Sequence, residues 1–164
     1  MPANDMSPPP AHLDWSAYET QNGFGMGDPF GAPPAEPGGG FKMAIGTCTG
    51  KLDCHRLDAG VMCPSYRATG DERHATYHRA QTLKAAVEGA LGEDGFASDA
   101  VQEAMALCVG CKGCKRECPN GVDMALLGVE AKARRWARLG HTPRRERLFA
   151  PLPRLIPVLQ RWRA

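Results

Sequence analysis

Four cysteines, Cys108, Cys111, Cys114 and Cys118, are separated by two, two and three residues, and Pro119 follows the last of them. This C-x2-C-x2-C-x3-C-P run constrains the fold more than any other feature of the chain. Three thiolates two residues apart on a tight loop reach three corners of one cuboidal iron–sulfur cluster, and the fourth is directed to a different cluster. Pro119 suits the first turn of a helix that carries Cys118 away, because its missing N–H would have no intrahelical partner there. Gly110 and Gly113 lie between the ligands, where the backbone must curl and can point N–H groups at sulfur. Lys112 and Lys115 add positive charge nearby. Zinc is the competing occupant, but it takes two well-separated ligand pairs rather than three overlapping ones, so the spacing favours iron and sulfide.

A second group, Cys48, Cys54 and Cys63, reads C-x5-C-x8-C-P and ends in the same Cys-Pro pair, with Pro64. If the last cysteine of each group crosses over, Cys63 completes Cys108, Cys111 and Cys114 as the four ligands of a [4Fe-4S] cluster. Cys48, Cys54 and Cys118 then remain. Three thiolates suit a [3Fe-4S] cluster, or a [4Fe-4S] cluster with a non-cysteine ligand, for which Asp53 and His55 are nearest. The three-iron form is preferred because it leaves no cysteine spare, and His55 then reads as an ordinary exposed histidine. A leaner alternative fills only the 108/111/114 set, with Cys63 or Cys118 as fourth ligand.

The 164 residues divide by composition. Residues 1–40 hold eight prolines and seven glycines with few aliphatic residues, so they bury too little to offset chain entropy and read as a flexible, disordered lead. Residues 41–140 form the expected helical iron–sulfur domain. Within it, Thr76 to Leu91 places Ala80, Leu83, Val87 and Leu91 on one face, with Gly92 as the stop. Ser98 is the N-cap expected for a second helix that delivers Cys108. Asp123 is the N-cap expected for a third, which runs to Leu139 with Gly140 as its stop, turns Met124, Leu127 and Ala131 inward, and pairs Glu130 with Arg134 on the surface. Residues 141–164, broken by prolines, look like an interface segment carrying Leu155, Ile156, Val158 and Leu159. From Lys132 onward ten basic residues face one acid, Glu146, which suits a solvated or docking face better than nucleic acid, since stacking aromatics are few.

Two stretches carry a family resemblance. GVMCPSYRATGDERHATYHRA at 60–80 and LCVGCKGCKRECPNGVDMA at 107–125 resemble the iron–sulfur segment of fused FAD-linked oxidase/iron–sulfur oxidoreductases of the D-lactate and D-2-hydroxyglutarate dehydrogenase type. The C-x5-C pair is also similar to that of the iron–sulfur subunit of succinate dehydrogenase and fumarate reductase. That similarity implies the four-plus-three assignment, with the two groups in opposite order, and an all-α, helical dicluster ferredoxin-like module. The sequence departs from the first family at Thr76–Ala80, which reads TYHRA where TRGRA is usual, and at the TGKLD interval before Cys54, where glycines are commoner. Residues 1–40 are too short and polar to hold that family's flavin.

The expected role is therefore electron transfer. A flavin-containing dehydrogenase of the 2-hydroxy-acid type would supply single electrons, and an acceptor protein or a quinone pathway would receive them. Lys112, Lys115, Arg116 and backbone N–H groups are expected to raise the cluster potential. No nucleophile elbow, general base or phosphate loop is present, so no catalysis is expected from this chain alone. The alternatives are a structural zinc module for protein contacts, a redox-sensing thiol protein, or a remnant of a fused oxidoreductase. No export signal opens the chain and no run of about eighteen apolar residues occurs, so a cytoplasmic location is expected, with the basic tail suited to peripheral contact at a membrane.

Overall fold

The computed structural model describes residues 12–19, 39–58, 60–152 and 156. Among them the chain is helical and no strand forms, as the all-α expectation requires. A short helix, α1 (Ser16–Glu19), precedes α2 (Gly40–Gly46), which buries Phe41, Ala44 and Ile45 at helical spacing. The loop after α2 makes one 3₁₀ turn over Asp53–His55 and reaches α3 (Pro64–Thr69). A second 3₁₀ turn, Glu72–His74, leads into α4 (Thr76–Val87). Then come α5 (Asp99–Ala106), α6 (Gly113–Glu117), α7 (Met124–Leu139) and α8 (Arg144–Phe149).

The core is a seam between α2, α4, α5 and α7. Phe41, Leu83, Val122, Met124 and Leu127 are fully buried in it, and each such side chain contributes about 1.5–3 kcal/mol by leaving water. Two N-caps form where the sequence places them. The Ser98 hydroxyl accepts from Val101 N at 3.5 Å, and an Asp123 carboxylate oxygen accepts from Leu126 N at 3.1 Å. Met124, Leu127 and Ala131 face inward on α7, and Gly140 ends it in a left-handed conformation.

Three expectations change. The helix expected over Thr76–Leu91 ends at Val87, because the chain turns at Gly89 (φ 76°) and passes through a 3₁₀ turn at Gly95–Ala97 that packs Phe96 on α7. No helix starts at Pro119: residues 119–121 form a turn, and the short α6 comes before Cys118 rather than after it. The proline helix start occurs instead after Cys63, at Pro64 of α3.

The third change is at Glu130 and Arg134, whose pair is buried, with 0% and 4% of the side chains exposed. The N-terminal segment covers it. The flexible lead expected over 1–40 lies mostly outside the described residues, but residues 12–19 are described, and they are docked on α7. His12 N and Leu13 N donate to the Glu130 carboxylate at 3.0 and 2.9 Å, and the indole Nε1 of Trp15 donates at 3.3 Å. Arg134 Nε completes the set at 2.7 Å. The Trp15 ring sits 5.1 Å from Phe41, and the Arg134 guanidinium lies 4.5 Å over the same phenyl ring. Of the proline-broken segment 141–164, α8 is described and exposes Leu148 and Phe149. Leu155, Val158 and Leu159 lie outside the described residues.

Candidate metal centre

Cys63, Cys108, Cys111 and Cys114 line one hollow that is partly open to solvent. Cys63 arrives there from α3's N-terminal boundary, forty-five positions before Cys108. Its backbone is left-handed (φ 53°), which aims the side chain back toward the later loop while Pro64 starts the helix. Cys108 follows the end of α5, Gly110 (φ 64°) turns the chain, and Lys112 (φ 60°) repeats that turn without being glycine. Cys63 and Cys114 are buried, Cys108 is half-buried and Cys111 is exposed, so the hollow has a closed inner wall and an open outer lip.

Two helix N-termini meet the sulfurs. Ala75 gives α4 no side-chain cap; instead Thr76 N donates to Cys63 Sγ at 3.0 Å, and the Thr76 hydroxyl contacts the same sulfur at 2.9 Å. The next N–H, of Tyr77, donates to Cys54 Sγ at 3.4 Å. Burial raises the Cys114 thiol pKa, the Met124 N–H at the start of α7 opposes that, and neighbouring Cys63 raises it further. Orphan N–H groups and the positive ends of both helices thus face sulfur and offset part of the burial that raises the Cys54 and Cys114 thiols.

The other three cysteines, Cys48, Cys54 and Cys118, lie outside that hollow. Burial raises the pKa of Cys48, the Gly50 N–H lowers it, and Cys118 raises it again across the loop boundary. Cys54 is pushed up to about 11, first by burial, against the Tyr77 N–H, and then by Cys63 and Cys48. Asn120 Nδ2 donates to Thr49 Oγ1 at 2.7 Å, clasping the two loops beside Cys48 and Cys118. Asp53 and His55 flank Cys54 in the 3₁₀ turn. His55 is not the exposed histidine expected: it is half-buried, 5.0 Å from the Tyr66 ring and stacked on His78 at 5.9 Å, and its Nε2 has no hydrogen-bond partner. Among the described residues no three His, Cys, Asp or Glu side chains converge on a point suited to a single metal ion.

Four residues of the site escape a reading of spacing alone. Glu117, just before Cys118, accepts from Val61 N at 3.0 Å and from Met62 N at 2.9 Å, so it ties the Cys63 turn to the Cys118 loop. Gly60 (φ 74°) allows this approach, since a Cβ there would stand 2.4 Å from a Glu117 carboxylate oxygen. Asp123 is both the α7 cap and the anchor of Lys112, at 3.0 Å, with Lys115 3.8 Å away. Arg79 lines the hollow one turn along α4 from Thr76. Only the three-residue step from Thr76 to Arg79 is visible in the sequence, and it gains meaning once α4 is known to point at Cys63.

The donor set fits an iron–sulfur cluster. Four soft thiolate donors ring a hollow rather than a point, with N–H groups directed at sulfur and glycine and left-handed turns making the room. Known proteins agree. Residues 46–123 match the family described as the 4Fe-4S dicluster domain. Over 83 residues the chain is 34% identical to the probable glycolate oxidase iron-sulfur subunit of Bacillus subtilis (strain 168), a match that covers 49% of this chain and 18% of that protein. The chain therefore spans less than a fifth of that relative's length. No solved structure matches the chain. The resemblance drawn from the two cysteine stretches is borne out: residues 46–123 are similar to the iron–sulfur segment of FAD-linked oxidases.

Proposed function

We propose that this chain, through its iron–sulfur segment at 46–123, relays single electrons from a flavin-containing dehydrogenase of the 2-hydroxy-acid type to a downstream acceptor. The observation that carries this reading is the hollow shared by Cys63 and the 108–114 loop, which gathers four sulfurs from two stretches forty-five positions apart. Cys63, Cys108, Cys111 and Cys114 would hold a [4Fe-4S] cluster. Cys48, Cys54 and Cys118 would hold a second, of the [3Fe-4S] type. Such clusters supply one-electron chemistry over roughly −700 to +450 mV, set by cluster type, charge and hydrogen bonds to sulfur.

The protein's own part is to hold and tune. The Thr76 and Tyr77 N–H groups stabilise negative sulfur on both sides of α4. The buried inner wall excludes water from Cys63 and Cys114, while exposed Cys111 marks the face from which an electron partner is reached. The 2-hydroxy-acid character of the partner rests on the family resemblance and on the name of the Bacillus relative. Among the described residues no helix is long and apolar enough to cross a membrane.

Anaerobic purification followed by iron, acid-labile sulfide and zinc analysis tests the proposal. Near seven irons per chain supports the four-plus-three assignment, and near four supports a single cluster. A colourless protein carrying stoichiometric zinc sinks the electron-transfer reading. Reduction by a separately purified 2-hydroxy-acid flavoprotein, followed at the visible absorption of the cluster, tests the partner.

A further inference from the structure

Buried charges in this protein have partners, with one exception among the described residues. Glu130 pairs with Arg134, and Asp123 pairs with Lys112. Arg79, 3% exposed, makes no ion pair there. Its Nε donates to the carbonyl oxygen of Ala104 at 2.7 Å and its Nη2 to the Ser65 hydroxyl at 2.8 Å, and both acceptors are neutral. A guanidinium keeps its charge at any working pH, and burying it without a counter-charge is costly. The missing negative charge has an evident source, because Arg79 lines the hollow ringed by Cys63, Cys108, Cys111 and Cys114. Four thiols would leave the cation uncompensated. Four thiolates around iron and sulfide would not.

The exposed cations of the loop are less suited to that role. Lys112 and Lys115 lean on Asp123, and Arg116 on Glu117; all three are more than half exposed, so water and salt screen them. Arg79 is held in place by two bonds in a region of low dielectric, where a fixed charge acts most strongly.

We propose that Arg79 is the built-in counter-charge of the cluster bound by Cys63, Cys108, Cys111 and Cys114, and that it raises the reduction potential of that cluster. The inference rests on the iron–sulfur reading above. One electron enters from a reductant, the reduced flavin of a partner or dithionite in a test, and no bond or proton need change. The hollow becomes more negative by one charge, and a permanent cation beside it favours the reduced state.

The test is a redox titration of the full chain, purified anaerobically and monitored by electron paramagnetic resonance, as wild type, Arg79→Gln and Arg79→Lys. Iron and sulfide are assayed first. At the wild-type midpoint, Arg79→Gln should show at least a tenfold lower reduced-to-oxidised ratio, a fall of about 59 mV for a one-electron couple. Arg79→Lys, which keeps the charge, should stay within about twofold of wild type. A merely structural Arg79 would alter stability or loading but not this midpoint. An Arg79→Gln protein with full iron and an unchanged midpoint overturns the inference and leaves the iron–sulfur reading standing. A wild type free of iron and sulfide overturns both. If Arg79→Gln does not load, Arg79→Lys decides by its charge: iron and sulfide restored to the wild-type level support the counter-charge role, and a protein that still fails to load although the charge is kept refutes it.

Discussion

Glu117 and Gly60 hold the candidate site together at its narrowest point. Two backbone N–H groups, of Val61 and Met62, end on one carboxylate, and hydrogen bonds to a charged acceptor are each worth about 1.5–3 kcal/mol. Glu117 is a quarter exposed, so we expect Glu117→Ala to cost about 1–2 kcal/mol in urea unfolding and to lower the iron retained after anaerobic gel filtration. Gly60→Ala should cost at least about 1 kcal/mol from its left-handed backbone, and more because the new Cβ would meet the carboxylate at 2.4 Å. Equal stability of Gly60→Ala and wild type would show that the staple is dispensable. At this scale the sequence was legible where chemistry is tied to spacing. The hollow brings Cys63 together with 108/111/114, and Cys48 interacts with both Cys54 and Cys118, which is where the proposed ligand sets start. Arg79 and Glu117 were not legible as site residues, because which way each side chain faces is set by packing between segments remote in the chain.

Among the elements, α7 does double duty at its start. Asp123 accepts from Leu126 N with one carboxylate oxygen and from Lys112 with the other, so the cap of the helix also fixes the 108–114 loop. Asp123→Ala should therefore cost more than the roughly 1 kcal/mol of an ordinary N-cap, whereas Ser98→Ala on α5, a cap alone, should cost about that much or less. Thermal unfolding of the two variants side by side checks the difference. Helix starts were legible here because Ser98 and Asp123 signal them through their own side chains. Ends were less so. Gly92 reads as a stop as well as Gly89 does, and only the docking of Phe96 against α7 decides that the chain turns early. Pro119 shows the same limit, since a proline permits a helix start without requiring one.

On the scale of the whole molecule, the Glu130 carboxylate joins the far end of the core to residues near the N-terminus. Burial raises the Glu130 pKa, but Arg134 and the donors of His12, Trp15 and Leu13 outweigh that, so the folded value lies below the ordinary 4.5. A carboxyl depressed in the folded state adds stability above its unfolded pKa and loses it as pH falls through the folded one. Docking of Trp15 should thus persist at neutral pH and release as the solution is acidified below about 4.5, read as a red shift of tryptophan emission. Glu130→Gln should release it at neutral pH and cost about 3 kcal/mol, because Arg134 stays buried without its partner. Emission from Trp136 and Trp162 gives a background, and Trp15→Phe isolates the signal.

The first two N–H groups of α4 go to different sulfurs, Thr76 to Cys63 and Tyr77 to Cys54. A rigid rod that grips one group with each of its leading fingers cannot shift its hold on the first without loosening the second. If both proposed clusters are present, repacking Thr76, for example as Val, should therefore disturb the spectroscopic lines of both together, and a change confined to one of them would mean that the two are wired independently.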